Sequence, residues 1–501
     1  MGEVQFEEDD VTEEHTPEAR ETPEAGEQPI KQRKNGLYPD VSDELAANMK
    51  SGWADTELHD LEPIPQAANT ARRRAALSAR FPGERLVIPA GNLRTRSNDT
   101  DYSFRASTEY AYLTGDQTEN GVLVLEPDAN GDGHTATVYL LPRSNRENGE
   151  FWLDGAHGEL WVGRRHSLTE ARRLLGLPAK DVRDLADELR AATGPVRIVR
   201  GHDAGLEAAL TDKVTGERDE ELRVFLSEQR LVKDAFEIEQ LQKAVDSTVR
   251  GFEDVVKVLD KGEATSERYL EGTFFLRARV EGNDVGYGSI CASGPHATTL
   301  HWVRNDGPVR SGDLLLLDAG VETTTLYTAD VTRTLPVNGA FSPTQRKIYD
   351  AVYEAQEAGI AAVKPGAKYR DFHDAAQRVL ATKLVEWGLV EGPVERVLEL
   401  GLQRRWTLHG TGHMLGLDVH DCAVARTETY VAGTLEPGMC LTVEPGLYFQ
   451  ADDLTVPEEY RGIGVRIEDD ILVTEDGRRN LSAALPRTSD DVEAWMARLT
   501  S

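Results

Sequence analysis

The chain has 501 residues, 39% of them hydrophobic, which is long enough for two or three domains with a large core. No apolar run approaches the roughly 20 residues of a membrane-spanning helix, so no membrane partner is expected. The acidic N-terminus, MGEVQFEEDD, does not resemble a secretory signal, and we expect a cytoplasmic protein.

The 87 acidic residues outnumber the 56 basic ones, for a net charge of −31. Nucleic acid is therefore not an expected partner, because phosphate binding depends on clustered Lys and Arg.

The first sixty residues are predicted to be an acidic, largely flexible extension. Their first half is rich in Glu with scattered Pro and has almost no large apolar side chains. Such a segment cannot bury enough apolar surface to offset the entropy lost on ordering. We therefore expect residues 1–60 to contribute little to the folded core.

Residues 61–226 alternate between strand-like and helix-like segments, which indicates an α/β domain. The predicted helices are IPQAANTARRRAALSARF, SLTEARRLLGL and DVRDLADELRAA. The predicted strands are RLVIPAG, GVLVLEP and TATVYLLP. No cluster of catalytic residue types stands out in this region. It is therefore predicted to be a separate N-terminal domain, with the functional site elsewhere.

A long amphipathic helix opens the second predicted domain, residues 227–490. Its apolar residues recur at steps of three and four, which predicts one face packed on a sheet; they are Ile238, Leu241, Val245, Val249, Phe252 and Val256. A later helix is predicted to begin with Ser342 as N-cap, Pro343 at the first helical position and Gln345 completing a capping box. Residues 491–501 are predicted to be a C-terminal tail.

Carboxylates interrupt four otherwise apolar strand-like segments of this domain. The segments are DLLLLDAG, TLYTADVTRTLPV, MCLTVEPGLYF and GIGVRIEDDILVT, and they contain Asp318, Asp330, Glu444 and Glu468. A carboxylate that faces a core must be paired, protonated or bound to a cation. Asp318 and Asp330 are twelve positions apart across a plausible hairpin, which would bring them face to face. Asp313, Glu475 and Asp476 instead fit ordinary turns.

Four converging carboxylates would repel one another, and bound metal resolves the repulsion economically. Two divalent ions carry a charge of +4 against −4, which makes a pair of metals more plausible than one. Oxygen ligands with a histidine nitrogen suit Mn²⁺, Co²⁺ or Zn²⁺ rather than calcium. The three cysteines are too widely spaced for a zinc motif or a disulfide framework. Two metals would lower the pKa of a shared water and so supply a nucleophile at neutral pH.

Three histidines lie close together in TLHGTGHMLGLDVHD, namely His409, His413 and His420. The spacing of the first two superficially resembles the H-E-x-x-H zinc helix, but two intervening glycines disfavour a helix and no Glu occupies the general-base position. We expect a loop that lets one histidine ligate metal while the others contact substrate or hold a ligand. Any one of them alone is equally well read as a structural histidine, whereas three structural histidines together are much less expected.

The ordered motifs resemble the metal-binding core of the pita-bread metallopeptidases, specifically aminopeptidase P and its relative prolidase. The motifs are LLLLDAG, LYTADVTRT, HGTGHMLGLDVHD, LTVEPGLYF and YRGIGVRIEDD. YSFRASTEYAYLTGDQTENGVLVLEP and ELWVGRRHSL resemble the N-terminal domain of aminopeptidase P. The resemblance spans roughly residues 64–490. It implies an α/β N-terminal domain followed by an α+β pita-bread domain, whose curved, pseudo-twofold antiparallel sheet is covered by helices.

The resemblance also implies a ligand for each metal. Asp318 would bind one metal in bidentate fashion, while His413 and Glu444 would complete the shell of the other. Asp330 and Glu468 would bridge both metals. This set contains the four carboxylates that the charge argument selects.

Further site residues follow from the same resemblance. His301 matches a family histidine near the substrate carbonyl, and His420 matches one that contacts the proline side of the scissile bond. His409 is expected to contact substrate or to hold a ligand, and Arg466 to contact a ligand carboxylate. The family usually has Tyr where this chain has Trp302, so a difference is expected in pocket shape rather than in chemistry.

The implied activity is metal-assisted hydrolysis of the bond between an N-terminal residue and a following proline. His301 would polarise the carbonyl, and Glu444 would carry a proton towards the proline nitrogen. The cofactors would be two divalent ions, with manganese favoured over cobalt and zinc. The substrates would be Xaa-Pro peptides, and the chain would form a homodimer or homotetramer.

Three alternatives stay open at this point. A prolidase would hydrolyse only dipeptides, although the N-terminal resemblance favours aminopeptidase P. A metal-free pita-bread binding protein would have lost ligands, whereas all five are present here. A creatinase-like amidinohydrolase would use the same fold without this metal set.

Overall fold

The computed structural model describes residues 41–129, 133–259 and 266–501. Residues 1–40 of the predicted flexible extension lie outside the described residues. Just after them, Ser42 caps a short helix none of whose residues is buried. Residues 41–57 belong with 142–167 to a small compact unit, and the remaining described residues form a second, larger unit.

All six segments predicted before residue 226 form the expected elements. The helices are α1 (Asp43–Met49), α2 (Ala67–Arg80), α3 (Thr108–Thr114), α4 (Glu150–Leu153), α5 (Glu159–Val162), α6 (Leu168–Leu175), α7 (Leu185–Ala191), α8 (Ala204–Ala209) and α9 (Gly216–Gln229). The strands are β1 (Arg85–Pro89), β2 (Thr95–Ser97), β3 (Thr100–Asp101), β4 (Val122–Pro127), β5 (His134–Leu140), β6 (Ala179–Asp181) and β7 (Val196–Ile198). The three predicted helices correspond to α2, α6 and α7, and the three predicted strands to β1, β4 and β5.

Five of these strands form one mixed sheet in the order β6-β5-β4-β1-β7. The inner pairs are antiparallel, and β6 and β7 join the edges in parallel. Side chains alternate between two cores, since Leu86 of β1 packs with Leu77 of α2 while Val87 packs with Leu185 of α7. Both faces are therefore covered, which explains why the residues after Arg85 in RLVIP are all apolar.

The second half consists of short antiparallel sheets among longer helices. The helices are α10 (Ala235–Leu259), α11 (Glu267–Glu281), α12 (Pro343–Ala362), α13 (Arg370–Glu386), α14 (Val394–Leu400) and α15 (Ser489–Thr500). The strands are β8 (Asp284–Val285), β9 (Ile290–Ser293), β10 (Leu314–Ala319), β11 (Val321–Glu322), β12 (Val331–Pro336), β13 (Cys440–Val443), β14 (Gly446–Phe449), β15 (Ile463–Arg466), β16 (Asp469–Thr474) and β17 (Gly477–Asn480). They pair as β12-β10-β9, β13-β16-β17, β11-β8 and β14-β15.

The predicted amphipathic helix is α10, and it packs on a sheet as expected. The fully buried residues of its apolar stripe are Leu241, Val245, Phe252 and Val256. Phe252 and Val256 share one hydrophobic core with Leu315 and Leu317 of β10. Burial of this stripe, rather than helix propensity alone, is what holds a 25-residue helix in place.

The predicted capping box of α12 is also present. The Ser342 hydroxyl accepts the Gln345 backbone N–H at 3.2 Å, and the Gln345 side chain accepts the Ser342 backbone N–H at 2.9 Å. Pro343 occupies the first helical position, where it leaves no hydrogen bond unmade. The sequence therefore specifies this helix start through three residues.

The predicted C-terminal tail is wrong, because its residues form most of α15. Thr488 caps this helix by accepting the Asp491 backbone N–H. Val492, Trp495 and Met496 are buried in the main core of the second half. Trp495 and Met496 follow Val492 by three and four positions, so all three side chains lie on one helical face. This pattern is typical of a helix that packs against a core.

The strand pairing determines where the carboxylates point. β10 and β12 form the predicted hairpin, with Asp318 opposite Thr332. Because side chains alternate along a strand, Leu315 and Leu317 face the main core, while Leu316 and Asp318 face the opposite side. Asp318 is thus inside a strand and yet turned away from the main core.

Two other segments predicted as single strands are each divided in two at a glutamate. Glu444 lies between β13 and β14, and Glu468 lies between β15 and β16. Pro445 has no N–H for a sheet ladder, which explains the first break. β13 pairs with β16 and β14 with β15, so the two breaks lie side by side. The glutamates are therefore at strand junctions rather than in strand interiors.

Three other expectations bear on the whole chain. No helix among the described residues is long and apolar enough to cross a bilayer. The three cysteines are free and buried. The predicted domain limits at residues 60, 226 and 490 remain predictions.

We expect Phe252→Ala to destabilise the second half by about 3–5 kcal/mol, because it opens a cavity under the sheet that carries Asp318. Urea denaturation followed by tryptophan fluorescence measures the loss. Leu276→Ala is the matched control, since Leu276 of α11 is 65% exposed and its truncation should change stability by less than about 0.5 kcal/mol. Equal losses for the two variants would contradict the assigned core.

Candidate metal centre

Four of the predicted ligands meet in one group of side chains. Single ligand atoms of Asp330, His413 and Glu468 all lie within 4.8 Å of one another. His413 Nε2 is 3.3 Å from Asp330 Oδ2 and 3.6 Å from Glu444 Oε1. Asp330 and Glu468 are buried, and the side chains of His413 and Glu444 are each 16% exposed. The residues thus form a cluster with one accessible side.

Asp318 joins this cluster through a tyrosine and an arginine. The Tyr287 hydroxyl lies 2.7 Å from Asp318 Oδ1 and 2.5 Å from Asp330 Oδ1. The Arg466 guanidinium donates through Nη2 to the other oxygen of Asp318. Arg466 therefore contacts Asp318, one of the carboxylates predicted to be a ligand.

The loop geometry of His413 prepares its outer nitrogen for a ligand role. Nδ1 of His413 lies 3.1 Å from the Met414 carbonyl oxygen, to which it donates. With Nδ1 so engaged, the proton that His413 gives up to a cation is the one on Nε2, which faces the carboxylates. The segment is not helical, and a Cβ at Gly412 would lie 2.0 Å from the Thr442 carbonyl oxygen. Glycine is required there because the loop crosses β13 in close contact.

Burial and mutual repulsion shift the protonation equilibria of the cluster. Burial, then the neighbouring Asp330 and Glu444, raises the pKa of Glu468 well above its ordinary value. Burial with nearby carboxylates also raises the pKa of Glu444 to about 7. The pKa of Asp318 is raised as well, by burial and by the charge of Asp330. Burial alone would lower the pKa of His413, but its hydrogen bond to Asp330 and the charge of Glu444 raise it to about 9.

This donor set fits a pair of divalent ions. Four carboxylates face one another, and the protein groups nearest to them that can carry positive charge are Arg466 and His413. Carboxylates that are this close to one another hold protons at neutral pH, which reduces their repulsion. A bound cation displaces those protons and takes over that role. Oxygen donors with one neutral imidazole nitrogen match the preferences of Mn²⁺, Co²⁺ and Zn²⁺.

His409 is held beside the cluster as a neutral imidazole. Its Nδ1 lies 2.6 Å from the Gly410 carbonyl oxygen and its Nε2 lies 2.8 Å from the Tyr448 hydroxyl. Burial, then the charge of Arg466, lowers its pKa to about 3. Arg466 Nη1 donates to the same Tyr448 hydroxyl at 2.9 Å. A chain of hydrogen bonds thus joins His409 to Asp318 through Tyr448 and Arg466.

His420 and His301 lie at the exposed rim of this group. The His420 ring meets the His413 ring edge to face, with centroids 4.2 Å apart. Burial, then the charge of His413, lowers the pKa of His420. His301 is exposed, and its charge is among the causes that lower the pKa of both His409 and His420. His301 therefore lies close enough to the other two histidines proposed for substrate contact to influence their protonation.

A buried glutamate organises the loop that carries His301. Glu267 accepts hydrogen bonds from Trp302 Nε1 at 2.9 Å and His296 Nδ1 at 2.7 Å. It also accepts two backbone N–H groups of the same loop. The His296 and Trp302 rings stack with centroids 3.8 Å apart. Trp302, the residue that departs from the family pattern, is thus part of the support for this loop.

Sequence reasoning missed Tyr287, Thr332, Tyr448 and Glu267. Thr332 Oγ1 donates to Glu468 Oε2 at 2.6 Å and accepts from Arg466 Nε at 3.2 Å. Side chains alternate between the two faces of the strand VTRTLP, so Thr332 points to the face opposite that of Val331. This alternation could have identified Thr332 from the sequence. Tyr287 carries no such signal, because it reaches the carboxylates only through tertiary folding.

Two family models match the chain in the order of the predicted domains. The model for the aminopeptidase P N-terminal domain matches residues 70–197, and that for metallopeptidase family M24 matches residues 239–475. The chain is 84% identical over 492 residues to Xaa-Pro aminopeptidase 1 of Streptomyces coelicolor, covering 98% of this chain and 100% of that protein.

Solved structures match the fold over nearly their whole length. A variant of Escherichia coli aminopeptidase P in complex with substrate superposes with a TM-score of 0.78 at 32% identity, covering 88% of this chain and 99% of that one. Zinc-substituted Escherichia coli aminopeptidase P in complex with product gives 0.78 at 31% identity, covering 89% and 100%. The predicted α/β domain followed by a pita-bread domain is confirmed. The chain belongs to the aminopeptidase P group, the Xaa-Pro aminopeptidases of metallopeptidase family M24.

Proposed function

We propose that two divalent metal ions bind among the five clustered side chains and serve the Xaa-Pro aminopeptidase activity of this family. The observation that carries the proposal is the gathering of three carboxylates, those of Asp330, Glu444 and Glu468, around the His413 imidazole. Asp318 is joined to this group through the Tyr287 hydroxyl. Zinc substitution in a solved relative supports a metal at the corresponding site of that fold. Substrates are peptides with proline at the second position, from which the N-terminal residue is released.

The proposed ligand roles follow the sequence prediction. Asp318 would help to hold one ion and His413 with Glu444 the other, while Asp330 and Glu468 would serve both. Bound in this way, the ions supply a Lewis acid and an activated water. The contacts of Tyr287 and Thr332 with these carboxylates support the assignment, since such partners orient ligands.

The remaining polar groups would bind and orient the peptide. His301 donates to the scissile carbonyl, and His420 contacts the proline side from the rim. His409 stays neutral and is held in place by its hydrogen bond with Tyr448. It therefore contributes hydrogen bonding to the site rather than a positive charge. The Glu444 carboxylate, whose Oε2 is 3.8 Å from His409 Nδ1, carries a proton to the leaving proline nitrogen.

The comparisons disfavour the alternatives. The N-terminal domain and the relatives named Xaa-Pro aminopeptidase do not favour a prolidase. A metal-free binding protein or a creatinase-like enzyme would lack part of the ligand set, whereas all five ligands cluster here. Manganese as the physiological metal, a homodimer or homotetramer and a cytoplasmic location are kept as proposals, the first supported by the oxygen-rich donor set.

A peptide series tests the function directly. We expect Mn²⁺-dependent release of the first residue from Xaa-Pro-Xaa tripeptides and longer peptides, and no release when alanine replaces the proline. Mass spectrometry of the products after chelation and metal restoration identifies the residue released. Cleavage of Gly-Pro alone, with tripeptides untouched, would establish the prolidase alternative instead.

Asp330→Asn removes one negative charge and a proposed bridging oxygen while keeping the shape of the side chain. We expect metal content to fall and turnover to drop by more than about 100-fold, since even partners of ligands are worth 10–100-fold. Elemental analysis and peptide cleavage measure both effects. Asp476→Asn is the control, because Asp476 is an exposed turn residue at the end of β16. Near-normal turnover in Asp330→Asn would contradict the proposed site.

Metal binding should release protons, and more of them at lower pH. In the metal-free cluster the raised pKa values, about 7 for Glu444 and about 9 for His413, mean that both groups hold protons below these values. A metal requires their deprotonated forms, so apparent affinity rises with pH through this window. Calorimetry in buffers of different ionisation enthalpy counts the protons. Release that is independent of pH would contradict the assignment of both groups as ligands.

A further inference from the structure

A short segment of the chain, residues 415–421, links the proposed ligand His413 to His420. It folds back on its own start, since the Asp421 backbone N–H donates to the Met414 carbonyl at 2.9 Å and the Gly416 N–H donates to the Asp418 carbonyl at 3.1 Å. His420 itself is exposed and meets His413 only ring edge to ring face. The backbone of this segment therefore determines where the His420 ring lies.

The middle of the segment is held by the N-terminal domain. Thr108, the first residue of α3, donates through Oγ1 to Asp418 Oδ1 at 2.6 Å. Arg105, just before α3, donates through Nη2 to the Leu417 carbonyl at 2.7 Å. The same guanidinium donates through Nε to Glu322 Oε2 at 2.7 Å, and Glu322 is buried. Arg105 is thus fixed between the two domains in a bidentate arrangement that lysine cannot reproduce.

The end of the segment is anchored by a buried charge cluster. Asp421, which follows His420, is 1% exposed and accepts from Arg230 Nε at 3.0 Å and from Lys233 Nζ at 3.4 Å. Glu109 of α3 lies 3.5 Å from Nη1 of the same arginine. Consecutive residues at the start of α3 therefore contact the middle of the segment directly, through Thr108, and its end indirectly, through Glu109 and Arg230.

We propose that α3 of the N-terminal domain positions His420, with Thr108 and Arg105 as positioning residues acting through Asp418 and Leu417. The inference rests on the proposed substrate contact of His420. The N-terminal domain then contributes to proline recognition without touching the substrate. Small displacements of a positioned group are costly in catalysis, so the tether is expected to act on substrate orientation rather than on metal binding.

Thr108→Val removes the hydroxyl while nearly preserving side-chain volume. We expect amide exchange in residues 415–421 of the full chain to accelerate about tenfold, the effect of losing one hydrogen bond to a charged group. Thr108→Ser keeps the hydroxyl and should restore slow exchange. Thr114→Val is the matched control, because Thr114 of the same helix donates only to the local Tyr110 carbonyl. Unchanged exchange in Thr108→Val would overturn the tether.

A double-mutant cycle tests the link to catalysis. Thr108→Val should lower kcat/KM for an Xaa-Pro-Xaa peptide about tenfold, with metal content and melting temperature unchanged, and should have no further effect in a His420→Ala background. An equal, additive loss in that background would overturn the inference. Faster exchange combined with a harmless His420→Ala would instead contradict the proposed role of His420 while leaving the tether supported, so the two failures are distinguishable.

Discussion

Repulsion among four carboxylates gathered in a largely buried pocket is the constraint on which the rest of the structure depends. Desolvation and like charge raise the pKa values of Asp318, Glu444 and Glu468, so the pocket favours whatever cation can replace the protons. The surrounding fold keeps the carboxylates from relaxing apart. Arg333, fully buried beneath them, donates to the Glu468 carbonyl at 2.6 Å and pairs with Asp469 at 2.7 Å. This backbone tie holds Glu468 in the site without occupying its carboxylate, whose Oε2 accepts from Thr332.

The carboxylates converge because two pairs of strands end at Glu444 and Glu468. A continuous ladder would place each glutamate on one face of a strand among apolar neighbours. Two adjacent breaks, at Glu444 and at Glu468, instead free both side chains from the strict alternation of faces along a strand. The aligned junctions, the β10–β12 hairpin and the loop of His413 thus bring together ligands that are up to 150 positions apart in the chain.

The N-terminal domain gains a role from the same arrangement. Two of its polar contacts, from Arg105 and Thr108, reach the segment between His413 and the rim residue His420. A peptide with proline at its second position must be held in one orientation for hydrolysis, and a rim residue on an untethered loop would not provide it. Under the proposed tether, the N-terminal domain would act on substrate orientation, while the buried carboxylates would act on metal binding.

From its own residues the sequence predicted the N-terminal α/β domain, the start of α12 at Ser342, the apolar stripe of α10 and the clustered carboxylates, because periodicity, capping and buried charge are local signals. The pita-bread fold and the separate roles of the ligands and histidines came from the resemblance to a family. Sequence reasoning misjudged the C-terminal helix, where a short apolar repeat was overlooked. It had no means to find Tyr287, Glu267 or Thr108. Their partners are distant in the chain, and hydrogen bonds between remote segments depend on the path of the folded backbone. Tertiary structure alone decided those contacts, and with them the orientation of the site.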